Sequence, residues 1–326
     1  MATRPRPSRH AAKRPWNPVV PPGPSTIDLH THTVRSDGVL EPADLVAAAA
    51  GAGIRLLSIT DHDTLVAYRE LRAAAAVPAG LDLLPGIEIN AVVPPSARMW
   101  ESEIHVLGFG MDPDDAAFET ALVAQREQRQ ARFERILARL RELDLAVDEE
   151  IALLSHGADD ALGRPTVARA LVARGHATSV EDAFQRLLGR GLPAYVPRGG
   201  LDPAGAILAI RAAGGLPVLA HFREAVERTE VVRELVGLGL GGLEVYYRSW
   251  DRLTVEMVGG VARKLRLVAT GGSDYHGDLG SYGEAHTALW VPPTVADDLR
   301  RELPTAGVPS AGDDDHPRNR AKPAGS

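Results

Sequence analysis

The densest run of reactive side chains is Asp28-Leu29-His30-Thr31-His32. On a strand, residues i and i+2 share a face, so His30 and His32 point together and Asp28 joins them. Two imidazoles on one face can share a divalent cation. Core packing explains an isolated His-x-His as readily, so the reading depends on the residues downstream. Asp37 stands in Ser36-Asp37-Gly38 just beyond, and His62 in Thr60-Asp61-His62-Asp63 at the end of the next apolar run. Glu88 ends a third run in Gly86-Ile87-Glu88-Ile89, and His105 lies in a fourth. His221 closes Pro217–Ala220, and Asp274 and His276 follow Leu267–Thr270. Six of the eleven histidines belong to this set, so it is unlike a random scatter. His10 and His316 lie in the chain ends and His156 and His176 in a helical stretch. His286, ahead of the last apolar strand, reads as a structural or supporting residue.

The chemistry such a set suits is metal-assisted hydrolysis. The candidate ligands are His30, His32, Asp37, His62, Glu88, His105, His221, Asp274 and His276. They exceed what one ion needs, so two or three divalent ions bridged by carboxylates are expected. Imidazoles mixed with carboxylates suit manganese, zinc, iron or magnesium. The chain has no cysteine, which excludes thiolate ligation and disulfides. A multi-ion cluster favours phosphoryl chemistry, with an ion-bound hydroxide attacking phosphorus and the neighbouring ions neutralising the phosphoryl and leaving oxygens. Asp61, Asp63 and His276 are the candidates for passing a proton to the leaving group. The plainer alternative is a hydrogen-bonded polar network without metal. It would bury many ionisable groups, each at a cost of several kcal/mol.

Short apolar strands alternating with helices must position these residues. Strands are expected over Thr26–His32, Arg55–Thr60, Leu81–Asn90, Ile104–Phe109, Pro217–Ala220, Gly242–Tyr247 and Leu267–Thr270. Helices are expected over Pro42–Ala52, Leu65–Ala76, Pro203–Ala213, Glu230–Leu238 and Thr254–Lys264. That alternation implies parallel pairing, an α/β class and a closed or nearly closed barrel. Almost all the candidate ligands then fall at C-terminal strand ends, which converge on one face of a barrel. Residues 114–192 break the pattern with helices over Ala116–Leu143, Pro165–Ala173 and Val180–Leu188. They read as a helical insert hanging over the active face, with the barrel formed by 25–113 and 193–303. Residues 1–24 and 304–326 are rich in Pro, Arg, Gly and Asp and read as disordered tails.

A length of 326 residues allows a sizeable core, and 44% hydrophobic with 24% charged residues is ordinary for a globular protein. A net charge of −7 gives no support for coating duplex DNA. No apolar run is long enough for a bilayer, and the first residues lack a secretory pattern, so a cytoplasmic protein is expected.

Taken together, Asp28-x-His30-x-His32, Ser36-Asp37-Gly38, Thr60-Asp61-His62-Asp63, Gly86-x-Glu88, His105, His221 and Ser273-Asp274-x-His276 resemble the PHP (polymerase and histidinol phosphatase) domain. The resemblance spans roughly residues 26–292 and implies a distorted (β/α)7 barrel holding two or three metals, manganese first. The insert and Glu244-Val245-Tyr246-Tyr247 resemble one branch, stand-alone bacterial phosphoesterases acting on nucleotide 3′,5′-bisphosphates or on the 5′ ends of short RNA. The resemblance implies that His30, His32, Glu88 and Asp274 hold one ion. It implies that Glu88, His105 and His221 hold a second, and Asp37, His62 and His276 a third. Two positions depart from that branch: His221 is followed by Phe222 rather than Pro, and Gly163-Arg164-Pro165 by Thr166 rather than His. Arg129, Arg132, Arg164 and Arg198, on the insert and its edges, are the candidates for binding substrate phosphate, because guanidinium forks match phosphate oxygens. For Arg129 and Arg132, on a long amphipathic helix, simple solvation is the stronger expectation.

Three rival readings differ in the pocket or the bridge. A histidinol phosphate or other small-molecule phosphatase would share the metal site, and the long insert counts against it. A metal amidohydrolase also opens with His-x-His, but Lys13, Lys264 and Lys322 are the chain's lysines and none ends a central strand to act as a bridge. An inactive binding module would have lost ligands, and none is missing.

Overall fold

The computed structural model describes residues 25–93, 103–154, 163–277 and 280–303. Seven strands form one sheet in chain order: β1 (Ile27–Asp28), β2 (Leu56–Ile59), β3 (Asp82–Val92), β4 (Glu103–Phe109), β5 (Leu216–Leu219), β6 (Gly242–Tyr247) and β7 (Val268–Gly272). The ends of the sheet meet. Leu29 donates its N–H to Gly271 O at 3.1 Å, and Thr31 bridges Tyr275 in parallel. The result is a nearly closed seven-stranded barrel. Contact between β7 and the chain beyond β1 is so close that a Cβ on Gly272 would stand 2.4 Å from His30 N.

Helices join the parallel strands on the outside. After β1 comes α1 (Pro42–Gly51), whose proline in the first turn needs no hydrogen-bond partner and whose Leu45, Val46 and Ala49 are buried. After β2 comes α2 (Val66–Ala73), with Ala67 and Leu71 buried. The helical stretch between β4 and β5 comprises α3 (Ala116–Glu142), α4 (Asp148–Leu154), α5 (Arg164–Ala173) and α6 (Val180–Ala183), the last continuing as a π-helical turn over Phe184–Leu188. Then α7 (Pro203–Ala212), α8 (Thr229–Gly237) and α9 (Arg252–Leu265) complete the outer layer, and α10 (Tyr282–His286) and α11 (Thr294–Glu302) follow β7. Side-chain caps set several starts: Asp115, Asp202 and Asp251 accept from Phe118 N, Gly205 N and Thr254 N at 2.7–2.8 Å.

The largest apolar cluster packs β3–β6 against α7, α8 and α9 through residues such as Ile87, Val106, Ile207, Leu243 and Val258. A second cluster belongs to the helical stretch itself, with Phe133, Ile136 and Leu140 meeting Val167, Leu171 and Leu188. Polar contacts lock it to the barrel: Gln125 Nε2 donates to Asn90 O at 2.9 Å, its Oε1 accepts from Leu201 N at 2.9 Å, and Arg132 Nε donates to Val196 O at 2.9 Å.

Four expectations need correction. Pairing is not parallel throughout: β4 runs antiparallel to both β3 and β5. No helix lies between β3 and β4 among the described residues. His105 lies near the N-terminal end of its strand, and the reversed direction of β4 is what brings it to the same barrel face as the other candidate ligands. Regular pairing of β1 stops at Asp28, because the chain beyond it turns its polar side chains into the site. No strand follows His286 among the described residues. That histidine ends α10, stacks on Tyr282 and lies 2.8 Å from Ser25 O through Nε2, a structural role. Helices α4, α10 and α11 are additions to the expected set. The two expected tails and His156 lie outside the described residues.

Candidate active site

Glu88 is the hub. Its carboxylate is 1% exposed, yet five imidazoles surround it. Oε1 lies 2.7 Å from His105 Nδ1 and 3.3 Å from His221 Nε2. Oε2 lies 3.2 Å from His32 Nε2, 3.2 Å from His62 Nδ1 and 3.4 Å from His30 Nε2. Burial pushes this carboxyl up, but His105, His62 and His30 outweigh it and hold Glu88 well below the usual range.

Asp274 faces the same rings, its Oδ1 standing 3.3 Å from His30 Nε2, 3.4 Å from His32 Nε2 and 3.3 Å from His276 Nδ1. Asp37 stands 3.1 Å from His276 Nε2, 3.6 Å from His62 Nε2 and 3.6 Å from His32 Nδ1. The loop carrying Asp37 turns so tightly that a Cβ on Gly38 would lie 2.4 Å from His32 O. Potential ligand atoms fall into three overlapping groups: His32, Asp37, His62 and His276; His30, His32 and Glu88; and Glu88, His105 and His221. All nine sequence-predicted ligands thus converge.

The donor set fits divalent cations. His30 Nε2 and His32 Nε2 are buried and have no hydrogen-bond partner. Carboxylate oxygens nevertheless stand 3.2–3.4 Å from them. Such spacing without hydrogen-bond alignment matches the edges of a shell around an ion with bonds of about 2.0–2.2 Å. Burial disfavours both imidazolium forms. Even so, Glu244, Glu88 and Asp274 carry His30 well above its ordinary value, and Asp274, Glu88 and Asp37 carry His32 up to about 10. A field that draws protons onto imidazoles this strongly draws metal cations too.

Neighbouring strands aim the cluster. Glu244 on β6 lies 3.0 Å from His30 Nδ1 and accepts the His221 N–H at 2.7 Å. With Nδ1–H given to Glu244, His30 keeps its Nε2 lone pair for the cluster. Tyr247 OH donates to Asp274 Oδ2 at 2.6 Å. Glu244 and Tyr247 are three apart, which on a regular strand would put them on opposite faces. A register shift between Glu244 and Tyr246 returns both to the site. His221 and Asp274 adopt left-handed backbone angles of φ 30° and 48°, strained for non-glycine residues and typical of functional positions.

Three aspartates behave differently from expectation. Asp28 does not join the cluster. It accepts from Ser273 N and Oγ at 2.8 and 2.7 Å and from Tyr282 OH at 2.8 Å, tying β1 to the segment after β7. Asp61, a candidate for proton transfer, accepts from Thr33 N, Thr33 Oγ1 and Ser36 Oγ at 2.6–2.7 Å and holds the loop that carries Asp37. Asp63, also a candidate, pairs with Arg129 and lies 3.8 Å from Arg198. Of the proton-transfer candidates, His276 alone sits among the clustered ligands.

A cavity of about 270 Å³ opens beside the cluster, where Asp37, His62 and His105 line it. Arg129, Arg132, Arg164 and Arg198 line it as well. The expectation that Arg129 and Arg132 are solvated fails, since Arg129 is 11% and Arg132 7% exposed. The signal for this lay in α3. Phe118, Leu122, Gln125, Arg129, Arg132, Ile136 and Leu140 form one helical stripe, and its polar middle faces the barrel mouth rather than water. Thr166 and Phe222, where the chain departs from the family pattern, are buried and do not line this cavity.

Sequence reasoning missed Glu103 and Asn90. Glu103 pairs with Arg164 at 2.9 Å and Arg198 at 3.1 Å; burial raises its carboxyl, but Arg198 and Arg164 bring it down to about 2. Its position two residues before His105 marks it as sharing that face. Asn90 stands between arginines and ligands. Oriented for complementary hydrogen bonds, its amide oxygen accepts from Arg129 at 2.8 Å and Arg198 at 3.2 Å, and its nitrogen donates to His105 Nε2 at 2.6 Å.

Residues 28–195 match the model of the PHP domain. The chain belongs to the PHP domain family. It is 34% identical to the 5′-3′ exoribonuclease Rnm of Salmonella typhimurium over 82% of this chain and 90% of that protein. It is 30% identical to the 3′,5′-nucleoside bisphosphate phosphatase of Chromobacterium violaceum over 77% of this chain and 87% of that protein. Among solved structures, one assigned as a metal-dependent phosphoesterase, from Bifidobacterium adolescentis, superposes with a TM-score of 0.72 at 29% identity, covering 87% of this chain and 99% of that one. PHP membership, the barrel and the convergent ligand cluster agree, and this chain is a metal-dependent phosphoester hydrolase. No helix among the described residues is long and apolar enough to cross a membrane.

Proposed function

We propose that the chain hydrolyses the ester between the 3′-oxygen of a 5′-phosphorylated nucleotide and the next phosphorus, in a nucleotide 3′,5′-bisphosphate or at the 5′ end of a short RNA. Both substrates present the same bond, and both carry a 5′-phosphate one nucleoside away from it. The observation behind the reading is the cavity that joins Asp37, His62 and His105 of the ligand cluster to four arginines. Guanidiniums hold the 5′-phosphate and set the nucleotide's register, while the cluster receives the scissile phosphate. An amino-alcohol phosphate such as histidinol phosphate would bring a cationic amine against those arginines, which disfavours it.

In this reading His30, His32, Glu88 and Asp274 would hold one divalent ion, Glu88, His105 and His221 a second, and Asp37, His62 and His276 a third, with Glu88 shared between two of them. Manganese is the first assignment, with zinc, iron and magnesium the alternatives. Bound ions supply a nucleophilic water near neutral pH and neutralise charge on the phosphoryl oxygens. Glu244 fixes the ring of His30, Tyr247 fixes Asp274, and Asn90 links the ligand end of the cavity to the arginine end. The described helices within 114–192 act as a unit over the site, in a cytoplasmic enzyme that binds single-stranded rather than duplex substrates.

The test uses a short 5′-phosphorylated RNA with added manganese. Stepwise release of 5′-mononucleotides, with a 5′-hydroxyl RNA cleaved poorly, supports the assignment. Release of inorganic phosphate from the 5′ end instead would show that the wrong bond had been chosen.

A further inference from the structure

The arginine end of the cavity contains acids. Arg129 is paired with Asp63, and Glu103 takes both Arg164 and Arg198 at 2.9 and 3.1 Å. Arg132 differs: it is 7% exposed, lines the cavity, and has no carboxylate within ion-pair distance among the described residues. Its Nε donates to Val196 O, and the nearest counter-charge is Glu103, which already takes Arg164 and Arg198. A desolvated guanidinium with so little carboxylate of its own is costly to bury, so this end favours an anion. Four guanidiniums against two carboxylates leave two positive charges. A phosphomonoester carries about −1.5 to −2 at pH 7. The arginine end of the cavity is therefore balanced for one monoester, and a 5′-triphosphate would bring surplus negative charge next to Glu103.

We infer that Glu103 is a specificity-determining residue: its carboxylate sets the charge of the arginine end so that a 5′-monophosphate is accepted and a 5′-polyphosphate disfavoured. The residue sits between two arginines from beyond the barrel strands, Arg164 opening α5 and Arg198 following the helical stretch, while its own strand carries His105. Charge selection and the register of the scissile bond are thus set from one strand. The inference rests on the proposed use of the cavity for a 5′-phosphate.

The experiment compares one short RNA carrying either a 5′-monophosphate or a 5′-triphosphate. Binding to the full-length metal-free protein is read by fluorescence anisotropy, and kcat/KM is read on the manganese-loaded enzyme. Wild type is expected to favour the monophosphate about tenfold or more, because like charges placed together discriminate against the wrong partner. Glu103→Gln keeps the shape and loses the charge; it should collapse the preference, mainly by improving the triphosphate. Glu103→Asp keeps the charge and should retain the preference. Each preference is a ratio within one protein preparation, so partial misfolding cancels. An unchanged ratio in Glu103→Gln, or equal loss in Gln and Asp variants, overturns the inference. If wild type binds with the expected preference but cleaves neither RNA, the proposed activity fails and the inference stands. Cleavage with no preference between the two ends does the reverse.

Discussion

Glu244 on β6 and His30, two residues beyond the end of β1, meet through one contact, Nδ1 to Oε1 at 3.0 Å, with both side chains fully buried. The second oxygen of Glu244 accepts the backbone N–H of His221, so one carboxylate orients two candidate ligands. Removing such a partner typically costs about 10–100-fold in metal affinity or activity. Glu244→Gln should lose metal affinity in that range in a chelator competition, while metal-free melting changes little. Unchanged affinity would leave the carboxylate a bystander.

Asp28 closes the barrel from the inside. It accepts from Ser273 N, Ser273 Oγ and Tyr282 OH, all buried. Asp28→Ala leaves those donors unpaired in the core and should destabilise the metal-free protein by about 3 kcal/mol, roughly the cost of breaking a buried charged hydrogen-bond set. Denaturant unfolding in chelator reads this directly. A change near zero would mean that water replaces the carboxylate.

Arg132 and Arg164 approach the cavity from α3 and α5. If they bind the 5′-phosphate, substitution by Ala should raise KM for a 5′-phosphorylated substrate by about 10–100-fold, the worth of a charge-assisted hydrogen bond or two. The same variants should barely affect the slow cleavage of a 5′-hydroxyl RNA. Equal losses on both substrates would point to a folding defect, and an unchanged KM would remove the residue from the substrate site.

How much of the fold and site is legible in the sequence depends on how local each signal is. His30 and His32 are readable because their spacing is local, Glu88 because it is the lone carboxylate within an apolar run, and Asp274 because it follows one closely. His105 is readable as a residue but not in its direction: alternation reveals a strand's faces and not which way it runs. Glu103 obeys the same period-two rule from His105, but its meaning depends on Arg164 and Arg198, 61 and 95 residues away. Asp61 and Asp63 look catalytic beside His62, yet a strand end turns neighbours in different directions, and theirs go to the Asp37 loop and to Arg129. The bulge that brings Tyr247 to Asp274 has no sequence signature of its own.

The most direct test of the account is phosphate release from adenosine 3′,5′-bisphosphate, measured with manganese, with chelator, and with Glu88→Ala. Glu88 touches every part of the cluster, with five imidazoles within 3.4 Å. The account predicts manganese-dependent release that chelator abolishes and that falls in Glu88→Ala by about 1,000-fold or more, as expected if this carboxylate bridges the catalytic ions. Release that persists in chelator, or that survives Glu88→Ala, would contradict it.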